Sequence, residues 1–322
     1  MKQGLLFIFS LCMVTMIGAQ TDLDSLVQPQ PKSLFRSDPI TEPSVVFGPQ
    51  ANVIYFSRKG ATFNFGKANQ TDIWMAYAEN EYLQWKSPIN LGPQINSEAD
   101  EQVVSINLSG NRLYFTKNID QQTQLFVIEK QGRRWGVEQR VAVPGLPSFK
   151  NIKSYSVSAD EQTLFLCGSK DSIDTQADIF YSRKGIFGQW SYPTRLSLPM
   201  NMQGDECSVF LAADNKSLFF ASNGLSGLGG YDLYYSKKNT EGWSSWSQPQ
   251  NMGPSVNTSA NEYGLSMPLS GNQMAFISDI MGKRAKIFQL QTPALFQPDE
   301  VEMPNGSEDK TETLEPDKGF NH

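Results

Sequence analysis

Histidine is almost missing from this chain: the one copy, His322, is the last of 322 residues. Ser-His-Asp and Cys-His arrangements therefore have no base, and zinc sites built on histidine are excluded. Cysteine is scarce, with Cys12, Cys167 and Cys207 the full set. Nothing in the sequence suggests the local positive charge that would activate Cys167 or Cys207 as a nucleophile. Positive charge is in deficit, with 27 Lys and Arg against 33 Asp and Glu and a net charge of −6. No basic patch is available to release counterions from phosphates, which argues against nucleic acid as a partner. Long hydrophobic runs are also lacking. The apolar stretch from Gly4 to Ile17 is too short for a comfortable membrane span.

That stretch reads instead as the core of a secretory signal. Lys2 supplies the positive start, and Gly18-Ala19 supplies small residues before Gln20, so residues 1–19 are expected to be removed after Ala19. An uncleaved anchor is the alternative. Cys12 does not suit a lipoprotein, because Leu11 is bulky where a small residue is needed. The expectation is an exported protein, periplasmic or associated with the outer membrane. Such a compartment permits a disulfide between Cys167 and Cys207. The simpler reading is two small buried residues.

What the chain does have is aromatic residues, 11% of the total, with 20 Phe, 11 Tyr and 6 Trp. These side chains suit a pleated, half-buried surface. A short apolar run recurs, beginning at Ile54, Leu113, Leu164, Leu218 and Met274, at intervals of 59, 51, 54 and 56 residues. Twelve residues before each start stands an acid, Glu42, Glu101, Glu206 or Glu262, replaced in the third copy by Ile152. Between acid and run lies a turn-forming triplet such as Ser109-Gly110-Asn111, so each copy opens with a hairpin. A third strand follows, preceded in three copies by Asp72, Asp178 and Asp232. A fourth begins at Trp85, Trp135, Trp190 and Trp246. Pro88, Pro193 and Pro249 sit three residues into that run, and Asn96, Asn201 and Asn257 form a matching column further on. Proline there fits an edge strand, where a missing N–H costs little.

Four strands in about 55 residues, repeated five times, predict an all-β fold: a β-propeller of five four-stranded blades. A sixth, irregular blade is the structural alternative. The fifth copy ends near Gln291 without its tryptophan strand. Leu26 and Pro29 have the offsets from Glu42 that Trp85 and Pro88 have from Glu101. The segment from about Leu26 to Ser37 is thus expected to supply the missing outer strand and remove a loose edge. The predicted organisation is a signal at 1–19, a leader with the closing strand at 20–37, a propeller at 38–291 and an acidic tail at 292–322. That tail is too poor in apolar groups to offset the entropy of ordering.

The fourth copy is the most specific. It runs Asp205-Glu206-Cys207-Ser208, then Leu218 to Gly224, then Gly227-Leu228-Gly229-Gly230-Tyr231-Asp232-Leu233-Tyr234, and on to Trp246 and Asn257. It resembles the WD40-like repeats of TolB-related propellers, most of all those in exported Bacteroidota proteins. The resemblance covers about residues 40 to 290 and implies a propeller fold and an envelope setting. Some such proteins are associated with the type IX secretion system, and many carry a peptidoglycan-binding OmpA-like domain. No such segment follows the propeller in this sequence, so peptidoglycan binding is in doubt.

Five-bladed propellers also include glycosidases, which need two carboxylates in different environments. Glu42, Glu101, Glu206 and Glu262 occupy one column of the repeat. Symmetry gives them similar surroundings, so a structural role is expected, and the same holds for Asp72, Asp178 and Asp232. The turn Asp171-Ser172-Ile173-Asp174 lacks EF-hand spacing, and a solvated loop is the simpler reading. Gly224 to Gly230 lacks the helix and lysine of a phosphate cradle. No cofactor or metal is expected. Long loops on one rim are the candidate binding surface, with Phe63, Phe65, Leu225 and Leu228 as anchors. The alternative is that the two phenylalanines pack back on their blade. The sequence thus points to a non-catalytic module binding a protein partner in the cell envelope. The second reading is a glycan-binding or carbohydrate-active propeller.

Overall fold

The computed structural model describes residues 31–35, 41–66, 69–79, 84–170, 176–240, 242–279 and 284–301. The predicted signal at 1–19, the turn at 171–174 and His322 lie outside the described residues, as do Leu26 and Pro29.

Five antiparallel sheets form the molecule, one per repeat. Blade 1 contains Val45–Phe47, Val53–Lys59, Thr71–Tyr77 and Ile89–Asn90. Blade 2 contains Glu101–Ile106, Arg112–Ile119, Gln122–Gln131 and Gln139–Arg140, with an extra short strand at Arg134–Trp135. Blade 3 contains Asn151–Val157, Thr163–Ser169, Asp178–Arg183 and Thr194–Arg195. Blade 4 contains Glu206–Leu211, Ser217–Ser222, Asp232–Lys237 and Gln250–Asn251. Blade 5 contains Asn261–Ser266, Gln273–Asp279 and Ala285–Gln291, and is completed by Lys32–Ser33.

The recurring apolar run forms the second strand of every blade. Its first residues, Ile54, Leu113, Leu164, Leu218 and Met274, are all fully buried. Sandwiched blades bury both faces of this strand, so it reads as a continuous run rather than an alternation. Each predicted turn places its middle residue in the left-handed region: Ala51, Gly110, Glu161, Asn215 and Gly271 all have φ between 55° and 70°. Five apolar clusters form the core, one at each boundary between neighbouring blades.

The ring closes as expected, with one correction to the register. Ser33 pairs with Phe288 and Lys32 with Gln289, the positions that Asn90 and Ile89 take opposite Trp74 and Met75. The Leu26 and Pro29 alignment would put this strand two residues earlier. The link from outer strand to acid is shorter here, running from Ser33 to Glu42 rather than from Asn90 to Glu101. Elsewhere that longer link carries the buried asparagines. Asn96, Asn201 and Asn257 each accept from the N–H and donate to the C=O of one third-strand residue, at 2.7 to 3.0 Å. At the seam Glu42 Oε2 takes the N–H of Ile287 instead, at 3.4 Å.

The blades are also latched around the axis. Ser57, Ser105, Ser154 and Ser266 accept from the N–H groups of Val103, Val157, Ser208 and Phe47 in the next blade, at 2.9 to 3.0 Å. Between blades 4 and 5 the Glu262 N–H donates to the Tyr231 carbonyl at 2.7 Å.

The second copy lacks the outer-strand proline, and its Gln139–Arg140 pairs with the third strand as the outer strands of the other blades do. One further expectation needs correction. Residues 292–301, expected to belong to the acidic tail, pack on the ring. Phe296 is buried between blades 4 and 5, and Asp299 meets Lys237 at 2.5 Å and Lys216 at 3.5 Å. Phe296, set edge-on against Tyr235, and the Asp299 ion pairs anchor this short stretch to the ring.

Candidate functional site

The repeated glutamates stand at the beginning of the innermost strands, Glu42 three residues before its strand, and are buried, at most 2% exposed. Their contacts are with the blades. Glu42 accepts from Arg58 Nε and a second guanidinium nitrogen at 3.2 and 3.1 Å. Glu101 accepts from the Ser97 hydroxyl and lies 3.7 Å from Lys117 Nζ. Glu206 accepts from Ser222 Oγ at 3.1 Å. Glu262 accepts from the Thr258 hydroxyl and N–H and from Ser278 Oγ, at 2.7 to 2.9 Å. Burial pushes Glu101 up to about 7 and Glu206 up to about 8. Glu101 Oε2 and Glu206 Oε2 have no hydrogen-bond partner. All four contact the second strand of their own blade, through Arg58, Lys117, Ser222 and Ser278, and Glu101 and Glu262 also hold the preceding link through Ser97 and Thr258.

The repeated aspartates differ from one another. Asp178 holds Arg195 in a two-pronged ion pair at 2.6 Å. Asp72 and Asp232 are buried and brace the loops between the second and third strands. Asp72 Oδ2 accepts from the Phe65 N–H and from Asn90 Nδ2, both at 2.8 Å. Burial raises the Asp72 carboxyl above its ordinary value, and the bonds from Asn90 and Phe65 pull it back. Asp232 Oδ2 accepts from the Leu228 N–H at 2.6 Å and the Gly229 N–H at 3.4 Å.

These loops lie on one rim, because an antiparallel four-stranded meander sends alternate connections to opposite ends. In blade 1, Asn64 donates to the Arg58 and Gln70 carbonyls at 2.8 and 2.7 Å and accepts from Trp74 Nε1 at 2.9 Å. So braced, the loop presents Phe63 with 77% exposure and Phe65 with 36%. In blade 4, Tyr234 OH donates to the Ser226 carbonyl at 2.9 Å. The glycines there answer to close approach. A Cβ on Gly227 would fall 1.5 Å from Asp232 Oδ2, and one on Gly229 would fall 2.0 Å from the Ala260 carbonyl. Leu228 is 55% exposed on this loop. Leu225 is half-buried against the cluster between blades 3 and 4.

The innermost strands enclose an axial cavity of about 580 Å³. Its lining is rich in serine, including Ser44, Ser105, Ser154, Ser208 and Ser266. Its charged residues, among those described, are Lys59, Asp100 and Lys153. Asp100 Oδ1 accepts from the Thr71 N–H at 2.9 Å, and Lys153 pairs with Asp205 at 2.7 Å. A glycosidase pair needs two carboxylates facing one bond. This lining offers one.

Cys167 and Cys207 are free thiols in one apolar cluster. Burial pushes Cys167 up to about 12 and raises Cys207 as well, which disfavours the nucleophilic thiolate. One set of positioning residues is not among the sequence expectations. Asp100, Asp205 and Asn261 each precede a repeat acid and accept the N–H of Thr71, Ala177 or Tyr231, at 2.7 to 3.0 Å. The signal for them is an Asx residue recurring directly before the glutamate.

No family model and no curated protein sequence matches the chain. Solved structures do resemble it. The BT0996 RGII complex is 10% identical, covers 86% of this chain and is itself covered over 94% of its length, with a TM-score of 0.52. TolB from Acinetobacter baumannii is 14% identical, with a TM-score of 0.47 over 82% of this chain. That match spans 57% of the TolB chain. A putative TolB from Agrobacterium tumefaciens is 12% identical, with a TM-score of 0.46 over 78% of this chain and 81% of its own. At these identities the likeness concerns the fold alone.

Proposed function

We propose that this chain is a non-catalytic, exported propeller that binds a protein partner in the periplasm or cell envelope. The docking edge is the rim formed by the loops between second and third strands. One observation carries the reading: two loops braced by buried aspartates hold Phe63 and Leu228 out toward solvent. Aromatic side chains are common anchors of an interface, rigid loops are common carriers of binding residues, and Leu228 adds apolar area on the same rim. The glutamates bonded to their own blades and the single carboxylate of the axial cavity support the absence of chemistry. The repeat run from Asp205 to Asn257 supports an envelope setting of the kind found for TolB-related propellers in the Bacteroidota, including those associated with type IX secretion.

The test compares tagged parent protein with a Phe63→Ser/Leu228→Ser variant as bait in envelope extract. A partner retained by the parent and lost by an equally stable variant supports the proposal. Recovery of no partner, or equal recovery by both baits, counts against it. A second reading, a glycan ligand, draws on the serine-rich axial cavity. It predicts binding of a soluble oligosaccharide that a bulky substitution at Ser154 abolishes and the rim variant leaves untouched.

A further inference from the structure

The opposite rim carries a feature that neither the repeat nor the proposed docking edge uses. In blade 3 the third and fourth strands are joined by a tight hairpin at residues 184–190. The Gly185 N–H donates to the Gln189 carbonyl at 2.7 Å, and the Gly188 N–H to the Gly185 carbonyl at 2.8 Å. Lys184 bridges Trp190, which is buried. The closed turn leaves Ile186 and Phe187 at its apex, 92% and 86% exposed. No other large apolar residues of the described chain are barer. Two adjacent apolar side chains held out on a rigid tip make a wedge, not a core fragment.

The wedge stands among cations. Arg183 is exposed at its base, and Lys184 lies 5.4 Å above the Trp190 ring. The matching hairpin of blade 2 lies on the same rim and presents Arg134 and Val137, the latter 82% exposed. Between 129 and 140 that hairpin holds Lys130, Arg133, Arg134 and Arg140 against Glu129 and Glu138. Glu138 is turned onto Lys117 at 2.8 Å. The two hairpins thus carry six cations against two acids, and of the acids in the neighbouring blade 3 turn Glu161 is paired with Arg112 at 2.9 Å and Asp160 accepts from Asn215 at 3.0 Å.

We propose that the Ile186–Phe187 tip and its flanking cations form a docking wedge for an anionic lipid surface. A bilayer interface accepts a protruding apolar pair without a pre-shaped pocket, and acidic headgroups attract the lysines and arginines beside it. Among the described residues no helix is long and apolar enough to cross a membrane. This wedge lies on the rim opposite Phe63 and Leu228, so the two proposals stand or fall separately.

The test is co-sedimentation of purified protein with vesicles of phosphatidylcholine, alone or with phosphatidylglycerol, at low salt. The parent is expected to partition onto the phosphatidylglycerol vesicles and not onto pure phosphatidylcholine. Ile186→Ser/Phe187→Ser should weaken that binding at least about ten-fold. Arg183→Gln/Lys184→Gln should weaken it roughly twenty-fold. Ile186 and Phe187 are bare, so the thermal melt of the serine variant should be unchanged, and binding by the glutamine variant, which gives up contacts of Arg183 with Trp243 and of Lys184 with Trp190, is measured well below its own melting temperature. In Phe187→Trp the added indole should shift its emission to the blue on phosphatidylglycerol vesicles. The proposal is overturned if the parent binds neither vesicle, or if the serine variant partitions like the parent. An indole emission unmoved by vesicles also overturns it, and is the result a protein ligand for the tip would give.

Discussion

Replacing Glu206 by Gln should flatten the pH dependence of stability. The carboxyl is fully buried, one oxygen accepts from Ser222 at 3.1 Å, and the other has no partner. Burial is the largest influence on it, and Asp178 and Asp205 push the same way against Ser222 and Arg195. Its folded value is therefore raised from 4.5 to about 8. The unfolded chain releases this proton near the ordinary value, while the folded chain keeps it until about 8. The stabilising contribution is thus complete below 4.5, declines as pH rises, and is gone above 8. Within that window each step of one in pH removes about 1.4 kcal/mol, so Glu206 alone should cost about 2–3 kcal/mol between pH 5 and 7. Glu101, raised to about 7, adds a fall of the same sign that ends at lower pH. Asp205 titrates below this window: burial raises it, but Lys153, Ala177 and Tyr231 outweigh that and hold it under its ordinary value. Urea unfolding at pH 5, 6, 7 and 8 would measure the slope for parent and Glu206→Gln. The parent should lose stability across the series, and the variant should lose about 2–3 kcal/mol less between pH 5 and 7. A parent that gains stability toward pH 8, or a variant with the parental slope, refutes the reasoning.

Two other perturbations probe the joints of the ring. Arg58→Met leaves Glu42, 2% exposed, without its guanidinium, and urea titration at pH 7 should show a loss of about 3 kcal/mol, largely restored by adding Glu42→Gln. Asn257→Ala strands the Leu233 N–H, which it now meets at 2.8 Å, and removes one of two donors to the Leu233 carbonyl, which keeps the Met252 N–H at 3.1 Å. That should lower stability by roughly 2–4 kcal/mol, while the same change at exposed Asn239 should leave the urea midpoint within error.

The repeat was legible because its strands sit in equivalent surroundings five times over. The apolar run and its turn hold equivalent places in every blade, and the acid does so in four, so the same residue types recur. The positive φ at the turns was foreshadowed by Gly110, Asn215 and Gly271, though Ala51 and Glu161 reach it without that preference. The seam was legible only in outline. Ser33 stands two residues nearer to its acid than Asn90 does, and matching by offset cannot see that. The serine latches were hidden because each is one small polar residue whose partner is a backbone N–H in another blade. The wedge at Ile186–Phe187 was hidden too, because two apolar residues between glycines look like any strand end until burial is known.

The completion of blade 5 by the N-terminal strand rests on one short pairing, and hydrogen exchange reads it directly. The Leu34 N–H donates to the Ile287 carbonyl at 3.0 Å, as the last bond of the strand that completes blade 5. Amide exchange at Leu34 in the native protein should be slowed to a level comparable with Met252, whose N–H makes the equivalent bond to Leu233 at 3.1 Å. Exchange at Leu34 at the rate of an unstructured peptide, with Met252 protected, would contradict the closure.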